Sequence, residues 1–374
     1  VYSDAPATAS FGNLDSGQRA IWNASYATLA PGSVAQTGNR YLFAYRPTLT
    51  YTSTDLAKTY GDDAAASLAS AYTVSGLNAG VANAYLGDTL GSVVSGSASV
   101  ISTGASAAAG VAGSSYAITV AQGSLSASTG YALAFNSAGL LTVTPRAVTV
   151  TASSGQGKVY GNVDPTLTYA VTAGSLVGAD TLSGSLGRAA GENVGNYAIN
   201  RGTLANPNYA VSFVGSNFGI TPRAVTVSAT AGQSKVYGNV DPALAYAVTA
   251  GSLLGGDSLS GSLGRAAGEN VGNYAINQGT LANPNYAVSF VGSNFGITPR
   301  AVTVSATAGQ SKTYGDADPT LAYTVTAGSL AFADSFSGSL SRAAGENVGN
   351  YAINQGSLAL NANYTLSYAG SNFG

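Results

Sequence analysis

Along most of the chain, apolar side chains fall at every second position in short runs, and clusters of Gly, Asn, Asp and Pro separate the runs. In residues 146–222 the runs are Val148 and Val150; Leu167, Tyr169 and Val171; Tyr197 and Ile199; Tyr209, Val211 and Phe213; and Phe218 and Ile220. A period of two places successive side chains on opposite faces of a strand, so each run marks a strand with one buried face. The intervening SSGQG, GNVDP, AGS, GENVGN and NPN clusters are rich in the residues that end strands and form turns. No stretch carries a helical period. About six or seven short strands in 77 residues predict a small β-sandwich of the immunoglobulin size class.

The pattern repeats. Residues 146–222 recur as 223–299 with about ten exchanges, and a third copy occupies 300–374, with one residue inserted in LALNANY and its last strand cut short. A diverged, enlarged copy spans 46–145, aligned through KTYGD (Lys58 to Asp62) against KVYGN, with extra sequence around 78–85 and 99–106. Residues 1–45 do not fit the period; they hold the only tryptophan, Trp22, and read as an N-terminal cap or the end of an upstream domain. One copy runs into the next through ITPRAVTV with no spacer, and proline restricts both itself and the residue before it to extended backbone, so the joints should be stiff. The expected fold class is therefore all-β: tandem small immunoglobulin-like β-sandwich modules arranged as an extended rod.

Composition narrows the function. Charged residues make up 8% of the chain against roughly 25% in an average soluble protein. The chain has no Cys, His or Met, which removes disulfides, thiolate metal sites and the commonest general base, so no enzyme and no cofactor are expected. With a net charge of −2 and scattered cations, nucleic acid is not an expected partner. No stretch approaches the roughly 18 apolar residues of a membrane span, so membrane insertion of this segment is not expected either. Opening mid-phrase at Val1, the chain reads as a piece of something longer.

Three sets of residues recur. The four lysines all lie in Lys-x-Tyr-Gly: Lys58, Tyr60 and Gly61; Lys158, Tyr160 and Gly161; Lys235, Tyr237 and Gly238; Lys312, Tyr314 and Gly315. Tyr followed by Gly and an Asx residue suits a strand ending in a tight turn, with ligand binding by the tyrosine and lysine as the rival reading. The acidic residues just beyond, Asp164, Asp241, Asp316 and Asp318, are candidate calcium ligands, but a short acidic pair supplies only two or three of the six to eight oxygens calcium takes, and turn formation before proline accounts for them more simply. The only glutamates each lie four residues after an arginine: Arg188 and Glu192, Arg265 and Glu269, Arg342 and Glu346. The diverged copy lacks both charges together, which predicts that they pair. Most of the 23 tyrosines sit at alternating strand positions, where core packing explains them; a carbohydrate-stacking platform is the alternative.

The signature of K-x-Y-G-[DN], then G-D-[TS], V-G-N-Y-A-I, N-Y and I-T-P-R resembles the MBG (mostly bacterial immunoglobulin-like) domain of the YGX type over residues 46–374. The resemblance implies a non-enzymatic segment of a large exported protein similar to filamentous haemagglutinin, secreted by the two-partner route and placed on a bacterial cell surface. Adhesion, aggregation or biofilm formation would follow, with neighbouring copies, a host cell or a matrix surface as partners. It brings no catalytic residues. An extracellular filament assembled by strand exchange between subunits and a carbohydrate-binding array are the alternative functions.

Overall fold

A computed structural model describes all 374 residues. The chain is almost wholly strand and turn; its α-helices are two single turns, Ala65–Leu68 and Leu90–Val93. Contacts divide it into two compact units, Val1–Ser154 with Thr166–Ala189 and Ala198–Asn217, and Gly155–Pro165 with Ala190–Tyr197 and Phe218–Gly374. The division falls within residues 146–222 rather than between repeats.

In the second unit, residues 223–299 show the repeat completely. Its strands are β1 Arg223–Ala229, β2 Ser234–Val236, β3 Tyr246–Ala250, β4 Gly264–Arg265, β5 Gly272–Asn277, β6 Tyr286–Val291 and β7 Asn294–Thr298. In β1 the sequence RAVTVSA buries Val225, Val227 and Ala229 and turns the residues between them outward, as its period of two requires. β1 is central in a three-stranded sheet, antiparallel to β3 and parallel to β6, with Val227 opposite Phe290. The second sheet runs β2, β7, β5, β4: β7 is parallel to β2 and antiparallel to β5. Both sheets are thus mixed, because β6 and β7 return to their partners by long crossovers rather than hairpins. Between them Val227, Phe295, Ile297, Ile276 and Leu281 form the core.

Residues 300–374 repeat this frame, with Arg300–Ala306 between Tyr323–Ala327 and Tyr364–Ala369. The residue inserted before Tyr364 is absorbed in the turn. A counterpart of β2 is reduced to the single bridge Gln310↔Phe373, since Gly374 alone stands where Gly296, Ile297 and Thr298 pair with β2.

In the first unit, Arg146–Ala152 lies between Tyr169–Ala173 and Tyr209–Val214 in the registers of β1, β3 and β6. Residues 46–145 keep the same logic: Thr48–Ser53 is antiparallel to Tyr72–Ser75 and parallel to Ala132–Asn136, and Leu56–Thr59 is parallel to Leu140–Thr144. The extra sequence forms a hairpin, Gly80–Val81 with Tyr85–Leu86, and a strand Ser99–Ile101 paired with Thr119–Ala121. Residues 1–45 share that segment's core: Trp22, Tyr41 and Phe43 are buried with Leu49, Tyr51, Tyr85 and Tyr131. No helix is long and apolar enough to cross a membrane.

Candidate functional site

Two clusters recur, and the Lys-x-Tyr-Gly turn belongs to both. The first is a ring of four charges. In residues 223–299, Lys235 on β2 reaches Asp241 at 2.7 Å and also Glu269, while Arg265 on β4 reaches Asp241 at 2.6 Å and Glu269 at 2.7 Å. The cations are the buried members, with Lys235 4% and Arg265 9% exposed at the side chain, and the carboxylates face solvent. The Arg265 guanidinium lies 5.2 Å from the Tyr274 ring centre and 5.4 Å from that of Phe295, and bonds the carbonyl of Gly268 at 2.6 Å, so it closes the loop between β4 and β5. The Arg265 hydrogen bonds, helped by Lys235 against the opposing effect of burial, hold the Asp241 carboxyl down at about 2. Lys235 and Arg265 likewise hold Glu269 below its usual range.

The ring recurs in residues 300–374, where Lys312 meets Asp318 at 2.7 Å and Glu346 at 2.6 Å, and Arg342 meets them at 2.6 and 2.8 Å. In residues 146–222 Lys158 bridges Asp164, at 2.7 Å, and Glu192, while Arg188 bonds the Ala189 carbonyl at 3.0 Å as Arg265 does that of Ala266. The sequence pattern paired arginine with glutamate and missed lysine and aspartate. A signal was present: aspartate stands six residues after Lys158, Lys235 and Lys312, whereas six after Lys58 stands Ala64, so the diverged copy lacks three charges together. There Lys58 donates instead to the carbonyls of Asp62, at 3.0 Å, and Ser106, and burial lowers its pKa. Both oxygens of Asp241 and of Asp318 are engaged by cations, which is the opposite of a calcium shell. Asp316 lies on the exposed turn, its N–H bonded to the Thr313 carbonyl at 3.1 Å.

The second cluster is the joint between consecutive repeats. Tyr237 does not close on its own sandwich: its hydroxyl donates at 2.9 Å to Asp334 of the next repeat, and the same carboxylate oxygen accepts the Tyr364 hydroxyl at 2.8 Å. The two rings meet edge to face, 5.4 Å apart at 77°. Arg300, the first residue of the next repeat, reaches back to the Tyr237 carbonyl at 2.8 Å and to Asn239 at 2.7 Å. Asn363 accepts the Val271 N–H at 2.8 Å and donates to Asn270 at 3.0 Å. The apolar cluster of residues 223–299 therefore continues through Tyr237 into Val302, Ala331 and Tyr364. Burial, then the bond to Asp334, raises the Tyr237 pKa, so the phenol stays neutral as a donor.

The other joints use the same parts. Tyr160 donates to Asp257 at 3.1 Å beside Tyr286 at 2.5 Å, and Arg223 bonds the Tyr160 carbonyl at 3.0 Å and Asn162 at 2.9 Å. Tyr60 donates to Asp180 at 2.9 Å beside Tyr209 at 2.6 Å, and Arg146 bonds the Tyr60 carbonyl at 2.8 Å and also Asp62. Gly61, Gly161 and Gly238 each have φ between +80° and +87°, and a Cβ there would collide with Val177, Leu254 and Ala331 of the following repeat. The glycine is thus required twice, by the turn and by the close approach of the neighbour. At the head of residues 46–145 the donor is different: Trp22 Nε1 bonds Asp88 at 2.8 Å, Tyr131 bonds the same oxygen at 2.7 Å, and the two rings meet at 75°. Residues 1–45 thereby present a tryptophan where the other heads receive a tyrosine.

The profile of the MBG domain (YGX type) matches residues 148–219, 225–296 and 302–374. No curated protein matches the chain. The three matched segments cover more than half of the chain, and each carries a Tyr-Gly turn; the chain belongs to the MBG domain family of the YGX type.

Proposed function

We propose that this chain is a non-enzymatic stalk segment of a large bacterial surface protein similar to filamentous haemagglutinin, exported by the two-partner route and serving adhesion, aggregation or biofilm formation. MBG repeats are a non-catalytic domain type typical of extracellular surface proteins, which supports a structural or adhesive array. The joint carries the reading: one set of tyrosine, aspartate, arginine and asparagine is used at three successive junctions. Hydrogen bonds are directional, so several of them around a ring pair resist twisting as well as separation at each junction. Residues 46–145 act in this scheme as a fourth, diverged module. The partners are neighbouring modules, with a host cell or matrix surface beyond the segment.

The test is reach. The chain is displayed on a bacterium with an epitope at its outer end, and antibody access is compared with a variant carrying Arg223→Ala and Arg300→Ala, which loosens two joints. Lower access in the variant at equal surface density is expected; equal access would remove the stalk reading.

A further inference from the structure

The face that closes a joint in the earlier repeats is open on residues 300–374. Tyr314 is 71% exposed and Val348 90% exposed, whereas Tyr237 is 5% exposed and Val271 is half-buried in the joint cluster. A Cβ on Gly315 would meet nothing, although the residue keeps the turn's φ of +92°. Part of the face is nevertheless in place, although the strand beneath the Tyr314 turn keeps a single bridge. Tyr351 bonds the Asn347 carbonyl at 2.7 Å, as Tyr274 bonds that of Asn270, so the loop that carries Val348 is tied to its tyrosine in the same way. A hollow of about 70 Å³ lies there, lined by Tyr314, Arg342, Val348, Tyr351 and Phe373.

The chemistry of its occupant follows from the other donors of this kind. Tyr60, Tyr160, Tyr237 and Trp22 each end on an aspartate that a second tyrosine also holds. All four such aspartates, Asp88, Asp180, Asp257 and Asp334, are thereby occupied within the chain, so a second copy of it has no head to offer. We propose that the Tyr314 face is a docking site for the head of a further YGX-type module supplied by other polypeptide sequence. That head carries an aspartate beside a tyrosine to accept from Tyr314, an arginine opening its first strand to bond the Tyr314 carbonyl and Asp316, and an asparagine to accept the Val348 N–H. This assignment is independent of what the whole protein adheres to.

The test compares the chain with an extended form in which Ile-Thr-Pro and a copy of residues 223–299 follow Gly374. Nitration of each tyrosine is mapped by mass spectrometry. Tyr314 is expected to react freely in the original chain and about tenfold less in the extended one, as the exposures of Tyr314 and Tyr237 suggest. Changes in the added copy matching Arg223→Ala and Asp257→Ala should restore the reactivity. Tyr237 remaining protected and the added copy resisting protease show that every module is folded. Undiminished Tyr314 reactivity beside a folded copy overturns the proposal. The original chain should sediment as a monomer; a dimer with Tyr314 protected would place a second copy on this face and overturn the choice of occupant.

Discussion

Asp241 and Asp318 each join a lysine to an arginine, both cations more enclosed than the carboxylate, and this determines how the protein answers acid. Their carboxyls are held at about 2, by Arg265 and Arg342 first and by the two lysines next, well under the ordinary value near 4. A depressed pKa contributes stability that is complete above the unfolded value and is lost as pH falls through the folded one. The midpoint of thermal unfolding should therefore fall between about pH 4 and pH 2, and fall less steeply in an Asp241→Asn, Asp318→Asn double variant. High salt should shrink the difference, since both carboxylates are partly exposed. Parallel profiles for the two proteins would show that the ring contributes nothing. At neutral pH, Asp241→Ala leaves Lys235 and Arg265 with Glu269 as their one remaining carboxylate, and a loss of about 1–2 kcal/mol is expected in denaturant titrations. A double-mutant cycle should find Arg265 coupled more strongly to Asp241, which it meets with two nitrogens, than to Glu269, which it meets with one.

At the level of elements, the Tyr-Gly turn separates what a turn needs from what a joint needs. Gly315 and Gly238 share the left-handed conformation, at φ +92° and +80°, but only Gly238 has a neighbour against it. Gly315→Ala should cost about 1 kcal/mol of backbone strain, while Gly238→Ala should cost a further 1–3 kcal/mol or so, from forcing a methyl into Ala331. Equal costs, measured by thermal unfolding, would mean that the joint yields to a methyl group without penalty. Strand positions were legible because alternation is local: Val225, Val227 and Ala229 report their own burial through their spacing. Strand direction was not, since alternation fixes the face a side chain takes and is silent on whether β6 runs parallel to β1. The joint was hidden for a related reason. Tyr237 and Asp334 lie 97 positions apart in different copies, and aligning the copies superposes Tyr237 on Tyr160 and Asp334 on Asp257 without revealing that each tyrosine reaches into the next copy.

For the molecule as a whole, the period in the sequence revealed the repeats but not how far they depend on one another. A sandwich of 77 residues buries too little to be robust alone, and in a tandem array stability is the sum of intrinsic and nearest-neighbour terms. Trp22 shows the same dependence at the other end: its place at the Asp88 head could not be read from a segment that shares no period with the rest. The continuous cluster from Val227 through Tyr237 to Tyr364 implies that residues 300–374 melt together with residues 223–299. Asp334→Ala tests this directly. It removes the acceptor of Tyr237, Tyr364 and Asn361 at once, leaving two buried phenols without their carboxylate at about 1–3 kcal/mol each. Calorimetry should then resolve a separate, earlier transition for residues 300–374, whereas Asp316→Asn, on the open face, should leave the trace unchanged. The alkaline limb offers an independent check, because burial raises both Tyr237 and Tyr364 above their usual value near 10. Joint stability is then complete below that pH and disappears as pH rises through the raised values, so the unaltered chain should develop the same split transition in alkali. A single transition that merely shifts, both in the variant and in alkali, would mean that the modules are coupled by apolar contact alone and that the aspartate sets their register without holding them together.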